Sequence, residues 1–303
     1  MKVAANGLQI EVDIQGPPNG EPLLLVMGLG MQLTGWPEPL VADLARRGYR
    51  VVRFDNRDIG LSQGFDAAGV PPVWRAALRY TFHLPVRSAP YTLADMAEDT
   101  LGVLDALGIA QAHVCGASMG GMIAQHLAVR HPQRLKSLTL LMTTSGARHL
   151  PQPRSKVQMA MLGRPTGTDE ESLVAFMKRV VTLIGSPGYP NPPDYLDERL
   201  RAMVRRAWHP DGTLRQLLAV VADGDRSPML GRIRTPTLVL HGQDDPLVPV
   251  AAAHDLAAKI RDARSEIIPG MGHDLPLGLL PRLAAEIASH AEAFGGSATA
   301  APR

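Results

Sequence analysis

Apolar positions in this chain follow two patterns, short continuous runs and longer stretches of helical periodicity. Six runs are continuous: Leu23–Met27, Val51–Phe54, His113–Cys115, Ser137–Met142, Thr237–Leu240 and Ser265–Ile268. Such runs are typical of parallel strands that are buried on both faces. Helical periodicity predicts helices between them at Pro39–Arg47, Thr92–Leu107, Met119–Arg130, Ala251–Ile260 and Leu279–Ala293. The alternation predicts an α/β fold with a mostly parallel, twisted sheet and helices on both faces.

The N-terminal segment has a different pattern. Residues Leu8–Ile14 alternate between apolar and polar side chains, which is typical of a half-buried antiparallel strand. Asn6-Gly7 precedes them and is a strong hairpin signal, so we expect this strand to pair with residues 2–5.

The strand–helix alternation stops between residues 146 and 234. This proline-rich stretch has helical patterns at Arg154–Leu162, Glu170–Ile184, Asp194–Arg206 and Thr213–Asp223, and no convincing buried strand. An insertion after strand six would lie over the carboxyl ends of the strands, where open α/β sheets bind ligands. The predicted organisation is a core of residues 1–145 and 235–294 with a helical cap of residues 146–234. A second insertion, residues 63–91, carries an aromatic-bearing helix, and residues 295–303 are predicted to be disordered.

Composition and charge exclude several classes of protein. The 303 residues carry a formal net charge of +2, and no block of like charges indicates a nucleic-acid partner or a polybasic membrane patch. The apolar run from Leu23 to Met31 is too short for a membrane span, and no secretory signal is evident. Cys115 is the only cysteine, so an internal disulfide cannot form. We expect a cytoplasmic protein; a homodimer is left open.

Gly116-Ala117-Ser118-Met119-Gly120 matches the pattern G-x-S-x-G. The pattern alone has little specificity, but here it follows a predicted buried strand and opens a predicted helix. In that setting a serine is held on a strained turn with its hydroxyl exposed, so Ser118 is the candidate nucleophile. The competing interpretation is a tight helix start with Ser118 as a side-chain N-cap.

A serine hydroxyl is a weak nucleophile at neutral pH, so it needs a base and an acid that orients the base. His241-Gly-Gln-Asp-Asp-Pro246 follows the strand Thr237–Leu240 and offers two acids. Asp245 is favoured over Asp244 because it precedes a proline, which biases it towards a defined turn. His273, in a glycine-rich loop after the last strand, is the candidate base. The competing base is His241.

An oxyanion hole requires N–H donors aimed at the carbonyl oxygen of the substrate. One predicted donor is the backbone N–H of Met119, the residue after the nucleophile. The other is the N–H of Leu29 in the loop Met27–Met31, with Gly30 as the alternative. A phosphate-binding glycine turn is the competing interpretation of this loop, but the third glycine and the lysine of nucleotide loops are absent.

These motifs resemble those of the α/β-hydrolase superfamily over residues 20–293. More narrowly, four segments resemble aclacinomycin methylesterase-like carboxylesterases: residues 25–36, 54–62, 116–121 and 270–273. The resemblance implies Ser118, Asp245 and His273 as the triad and a helical cap at 146–234. Two departures bear on the acyl pocket: Leu29, where that group often has a second glycine, and the longer insertion at 63–91.

The predicted function is therefore that of a serine carboxylesterase acting on small to medium esters through an acyl-enzyme. Alternatives that use the same triad are a cofactor-free haloperoxidase or perhydrolase, a lactonase and a carbon–carbon bond hydrolase. A non-catalytic ligand-binding protein is the alternative from another class. No H-E-x-x-H motif or cysteine cluster indicates a metal, and no cofactor is predicted. Met159, Met161, Met177 and Met203 either line an apolar pocket in the cap or pack its helices together.

Overall fold

Eight strands form one sheet in the part of the chain that the computed structural model describes, residues 1–82, 84, 86 and 89–295. The strands are β1 (Lys2–Ala5), β2 (Leu8–Gln15), β3 (Glu21–Val26), β4 (Tyr49–Phe54), β5 (Ala112–Ala117), β6 (Leu135–Leu141), β7 (Thr237–Gly242) and β8 (Arg264–Ile268). Their order across the sheet is β1-β2-β4-β3-β5-β6-β7-β8. The pairs β1–β2 and β2–β4 are antiparallel, and the remaining pairs are parallel.

All six predicted buried strands are present, which confirms the mostly parallel sheet. The N-terminal hairpin is also confirmed, because Ala5 pairs with Leu8 and the two residues between them form the turn. Asn6 has φ 49° and Gly7 has φ 75°. Positive φ at both central positions is what the preferred two-residue hairpin turn requires.

Both faces of the sheet are covered by helices, named here in chain order. They are α1 (Glu38–Arg46), α2 (Val73–Thr81), α3 (Leu93–Ala106), α4 (Met119–Arg130), α5 (Ser155–Met161), α6 (Glu170–Ile184), α7 (Pro193–Arg206), α8 (Pro210–Asp223), α9 (Ser227–Leu230), α10 (Ala251–Lys259) and α11 (Leu280–Glu292). Helices α1 and α11 lie on one face, and α3, α4 and α10 lie on the other.

Successive residues of β3 show why its sequence is continuously apolar. Leu23 and Leu25 belong to the core layer under α1 and α11, whereas Leu24 and Val26 belong to the layer under α3 and α4. Side chains alternate between the two faces of a strand, so a strand with helices on both sides has no polar face.

Residues 142–236 contain helices α5 to α9 and no strand, as the interrupted pattern predicts. The short helix α9 is not predicted by the sequence pattern. The helix predicted in the second insertion, residues 63–91, is present as α2. The predicted disordered tail, residues 295–303, lies outside the described residues apart from Gly295. No described helix has both the length and the apolar character needed to cross a bilayer.

A buried ion pair ties α8 to the loop after β4. Arg215 donates from Nε and Nη2 to the two carboxylate oxygens of Asp58, at 2.9 and 2.8 Å. The hydroxyl of Tyr91 and the N–H of Phe65 also donate to this carboxylate, each at 2.6 Å. The side chains of Arg215 and Asp58 are both buried. A buried carboxylate held by four donors fixes the position of α8 on the core.

We expect Arg215→Met to lower the free energy of unfolding by about 3–5 kcal/mol at pH 7, because it leaves the buried Asp58 carboxylate without its cation. Burial raises the pKa of Asp58, but hydrogen bonds from Arg215 and Tyr91 outweigh this and hold it below its ordinary value of 3.8. In the wild type the stabilisation is present above that value and is lost as the pH falls through the lowered pKa. The difference between variant and wild type should therefore narrow as the pH falls below 3.8. Urea unfolding followed by circular dichroism measures it.

Arg205→Met is the matched control for this prediction. Arg205 pairs with Glu170 on the surface, where its side chain is 67% exposed. Surface ion pairs contribute about 0–1 kcal/mol, so this variant should unfold almost as the wild type does. A loss in Arg215→Met that is small or independent of pH would contradict the role given to the Asp58 ion pair.

Candidate active site

Ser118 lies between the end of β5 and the start of α4 in a backbone conformation that is rare for serine. Its φ is 53° and its ψ is −119°. For a residue with a Cβ, such a conformation costs on the order of 1–3 kcal/mol and persists only where its surroundings enforce it. Ser118 occupies the N-cap position, but its side chain makes no capping hydrogen bond. The side-chain N-cap interpretation is therefore wrong.

Two glycines explain what enforces this turn. A Cβ on Gly120 would lie 2.0 Å from the carbonyl oxygen of Val26 in β3. A Cβ on Gly116 would lie 2.4 Å from the carbonyl oxygen of Gly120. Only glycine at both positions lets the first turn of α4 approach the sheet this closely. The chain must then reverse sharply at Ser118.

The residues predicted as a triad lie in one hydrogen-bonded series. Ser118 Oγ is 3.0 Å from Nε2 of His273, and Nδ1 of His273 is 2.7 Å from Oδ2 of Asp245. The Asp245 carboxylate is fully buried, and its Oδ1 accepts from the N–H groups of Leu247 and Val248 at 2.9 and 2.7 Å. An ionised Asp245 accepts a hydrogen bond from Nδ1–H, which leaves Nε2 free to accept the serine proton.

The structure separates the two neighbouring acids. Oδ2 of Asp244 accepts from the N–H of Gly270 at 2.8 Å, and its own N–H donates to the carbonyl oxygen of Met271. Asp244 therefore fastens the loop that carries His273, whereas Asp245 contacts the imidazole itself.

His241 lies next to Asp245, and among the described residues no hydrogen bond or ion pair joins His241 to Ser118. Its Nε2 is 2.8 Å from the carbonyl oxygen of Val248 and 3.5 Å from Oδ2 of Asp245. Burial lowers the pKa of His241, although Asp245 and Val248 act in the opposite direction. A neutral His241 donates to Val248 and supports the turn that holds the acid.

The loop after β3 reaches the turn at Ser118, because β3 and β5 are neighbours in the sheet. A Cβ on Gly28 would lie 3.1 Å from Cβ of Ser118 and 3.7 Å from its Oγ. Among the described residues, the N–H groups of Leu29 and Met119 have no protein acceptor. The N–H of Gly30 does have one, since it donates to Oε1 of Gln216 at 2.9 Å. The alternative oxyanion donor, Gly30, is thus already engaged.

The C-terminal end of α6 and the residues that follow it hold the loop of His273. The N–H of His273 donates to the carbonyl oxygen of Ile184 at 2.7 Å, and the N–H of Gly272 donates to Oγ of Ser186 at 2.9 Å. The same Ser186 hydroxyl donates to Oδ1 of Asp274. Burial raises the pKa of Asp274 in spite of these hydrogen bonds. Sequence patterns gave no indication of these contacts, which join residues far apart in the chain.

A cavity of about 30 Å³ lies beside the loop after β3, with room for about two water molecules. Its lining residues come from both the core and the helical insertion: Gly30, Gln32, Ile59, Gly60, Met177, Met203, Ala207, Trp208, His209 and Thr213. Met177 and Met203 thus line a pocket, as one interpretation predicts, and Met177 also packs against buried residues of α6 and α7, as the other predicts. Met159 does neither, because it is 71% exposed to solvent.

Cys115 is a second potential nucleophile near the turn at Ser118, but its burial makes the thiol unreactive. The residue is fully buried in β5, and this burial raises the pKa of its thiol to about 12. The reactive thiolate is therefore scarce at neutral pH. Oγ of Ser118, by contrast, lies 3.0 Å from Nε2 of His273.

The chain belongs to the α/β-hydrolase fold family, whose sequence profile matches residues 21–277. It is 32% identical over 298 residues to the rhodomycin D methylesterase DauP of Streptomyces sp. strain C5, covering 92% of this chain and 93% of the relative. The corresponding methylesterase DnrP of Streptomyces peucetius is 31% identical with the same coverage. The solved enol-lactonase from Burkholderia xenovorans LB400 has a TM-score of 0.71 at 25% identity, covering 96% of this chain and 99% of that one. The chain is a hydrolase.

We expect Gly120→Ala to lower the free energy of unfolding by about 3 kcal/mol or more, because its Cβ would meet backbone of β3 that cannot move aside. Gly278→Ala is the matched control. There the nearest atom to an added Cβ would be Cδ1 of Tyr189 at 3.7 Å, which is an ordinary contact. The control should stay within about 0.5 kcal/mol of the wild type. Equal urea midpoints for the two variants would contradict the close approach described for Gly120.

Proposed function

We propose that this chain is a serine carboxylesterase that hydrolyses small to medium carboxylic esters through an acyl-enzyme. The observation that carries the proposal is the series Ser118 Oγ–His273–Asp245, with separations of 3.0 and 2.7 Å. A nucleophile within hydrogen-bond reach of a base, and a base oriented by a buried acid, is the arrangement that activates a serine hydroxyl.

The first half of the reaction acylates Ser118. Its Oγ attacks the ester carbonyl while Nε2 of His273 takes the hydroxyl proton. The ionised Asp245 keeps the imidazole in the tautomer that can accept this proton and stabilises the positive charge that results. The resulting tetrahedral intermediate carries a negative charge on the former carbonyl oxygen.

We assign the stabilisation of that charge to the N–H groups of Leu29 and Met119. Both lack a protein acceptor among the described residues, and Gly28 brings the first of them beside Ser118. Prearranged donors of this kind lower the barrier without reorganising at the moment of reaction, and one donor is worth about 3–4 kcal/mol. A backbone donor makes no demand on its side chain, so leucine at position 29 is compatible with this role.

The first tetrahedral intermediate then collapses: His273 protonates the leaving alkoxy oxygen, the alcohol departs and the acyl-enzyme is formed. In the second half of the reaction, His273 takes a proton from a water molecule that attacks the acyl carbon. It returns this proton to Oγ of Ser118 as the second tetrahedral intermediate collapses, which restores Ser118 and frees the carboxylic acid. Asp245 and the two N–H donors act in both halves.

The comparisons support an ester as the substrate class. Two relatives at 31–32% identity are named methylesterases, and the family match over residues 21–277 includes all of the proposed site residues. The similarity to an enol-lactonase favours a second candidate substrate, a lactone, which is an internal ester and requires the same steps. Another relative, 29% identical over 262 residues, is named a 2-hydroxy-6-oxononadienedioate/2-hydroxy-6-oxononatrienedioate hydrolase.

Ser118→Ala should abolish most of the activity towards p-nitrophenyl esters, with a loss on the order of 10⁴-fold or more in kcat, because the acyl-enzyme can no longer form. A chain-length series from acetate to decanoate, run in parallel with simple lactones, would define the preferred acyl group. An organophosphonate should add its mass to the wild type and not to the variant, as read by intact mass spectrometry. Full activity in Ser118→Ala, or labelling at another residue, would refute the proposal.

Asp245→Asn should reduce kcat by on the order of 10⁴-fold, because an amide can hold the imidazole in the wrong tautomer. Asp244→Asn is the matched control, since its amide oxygen can still accept from the N–H of Gly270. We expect this control to stay within a few-fold of the wild type in steady-state assays. If both variants lost activity equally, the assignment of the acid to Asp245 alone would fail.

A further inference from the structure

Gln216 of α8 makes two hydrogen bonds that join two loops at the carboxyl ends of the strands. Its Oε1 accepts from the N–H of Gly30 at 2.9 Å, and its Nε2 donates to the carbonyl oxygen of Arg57 at 2.8 Å. The side chain is fully buried. An amide with its acceptor and its donor both engaged has one orientation, so Gln216 is a rigid strut between the loops after β3 and β4.

The loop after β3 has little internal support of its own. Between Gly28 and Met31 it makes one backbone hydrogen bond, from the N–H of Met31 to the carbonyl oxygen of Gly28, and that bond is long at 3.3 Å. Gly30 has φ 68°, and a Cβ there would lie 2.8 Å from Cγ2 of Thr213, also on α8. Helix α8 therefore contacts this loop twice, by a hydrogen bond and by packing.

The bond to Gly30 fixes the peptide unit that joins Leu29 to Gly30. Rotation of this unit is coupled to the direction of the Leu29 N–H, because the two are separated only by the Leu29 Cα. A shift of about 1 Å in a catalytic group can cost on the order of 10²-fold in rate. The buried hydrogen bond from Gly30 to Gln216 is therefore placed to control the direction of the Leu29 N–H.

We infer that Gln216 is a positioning residue of the oxyanion hole, holding the loop after β3 so that the Leu29 N–H faces the oxyanion. The inference rests on the proposed function, because an oxyanion hole has a role only if Ser118 attacks a carbonyl. Gln216 lies within residues 146–234, the predicted cap. That segment thereby contributes to the preorganisation of the catalytic centre as well as to the cavity beside it.

Gln216→Met tests this, because methionine keeps the length and unbranched shape of glutamine but cannot accept from Gly30. We expect kcat for the preferred p-nitrophenyl ester to fall about 10- to 100-fold, with KM changed less than three-fold. The donor is displaced and not removed, so the loss is smaller than the 10²–10³-fold cost of deleting one.

A transition-state analogue separates positioning from a general structural role. An alkyl trifluoromethyl ketone adds to Ser118 and places an oxyanion in the hole, so its Ki should rise by about the factor by which kcat/KM falls. Thr213→Ala removes the packing on Gly30 without cutting the strut. It should lower kcat and raise Ki, each by a few-fold, which keeps the test available if Gln216→Met does not fold.

Gln125→Met is the matched control. Gln125 of α4 is also fully buried and bonded at both ends, accepting from Nε of Arg226 and donating to the carbonyl oxygen of Thr144, each at 3.1 Å. Its hydrogen bonds go to Thr144 and Arg226 and not to the loop after β3, so kcat and Ki should stay within about two-fold of the wild type. Equal losses in the Gln125 and Gln216 variants would overturn the inference. The inference would also fail if Gln216→Met and Thr213→Ala kept the kcat and Ki of the wild type. If Ser118→Ala were inactive in the same assays, the proposed function would still stand.

Discussion

The close approach of α4 to the sheet is the constraint on which the rest of the site depends. Gly120 lies so near β3 that no side chain fits between them, and Gly116 lies equally near the first turn of the helix. The backbone can join β5 to α4 at this distance only by reversing at Ser118, which takes a positive φ. The strain is sustained because two neighbouring parallel strands and a buried helix surround the turn.

Parallel strands then bring the other groups to the same edge. Ser118 follows β5, Asp245 follows β7 and His273 follows β8, and β6 separates the first of these strands from the second. The loop after β3 reaches Ser118 from the opposite side. The carboxyl ends of adjacent parallel strands share one edge, so residues more than 100 positions apart meet there without any long connection crossing the sheet.

The segment between β6 and β7 contacts two of the loops at these strand ends. Ile184 and Ser186 hold the loop of His273, while Gln216 holds the loop of Leu29. The Arg215–Asp58 ion pair, one residue before Gln216, fixes the helix from which that second contact is made. The proposed base and one proposed oxyanion donor, the N–H of Leu29, are thus supported by side chains or carbonyl groups of the inserted segment.

The sequence by itself determined the buried strands, the N-terminal hairpin, most helices, and Ser118 and His273 as residues at strand ends. These follow from local periodicity and from turn chemistry, which neighbouring residues encode. The proline after Asp245 favoured that acid over Asp244, and the structure brings Asp245 to His273 and Asp244 to Gly270. The contacts of Gln216, Arg215 and Ser186 came only from the tertiary structure. Gly30 and Gln216 are 186 positions apart, and their bond has no local signature. Which atoms face each other across the strand ends is decided by packing, because a one-residue change in a turn exchanges the side chain that points into the site.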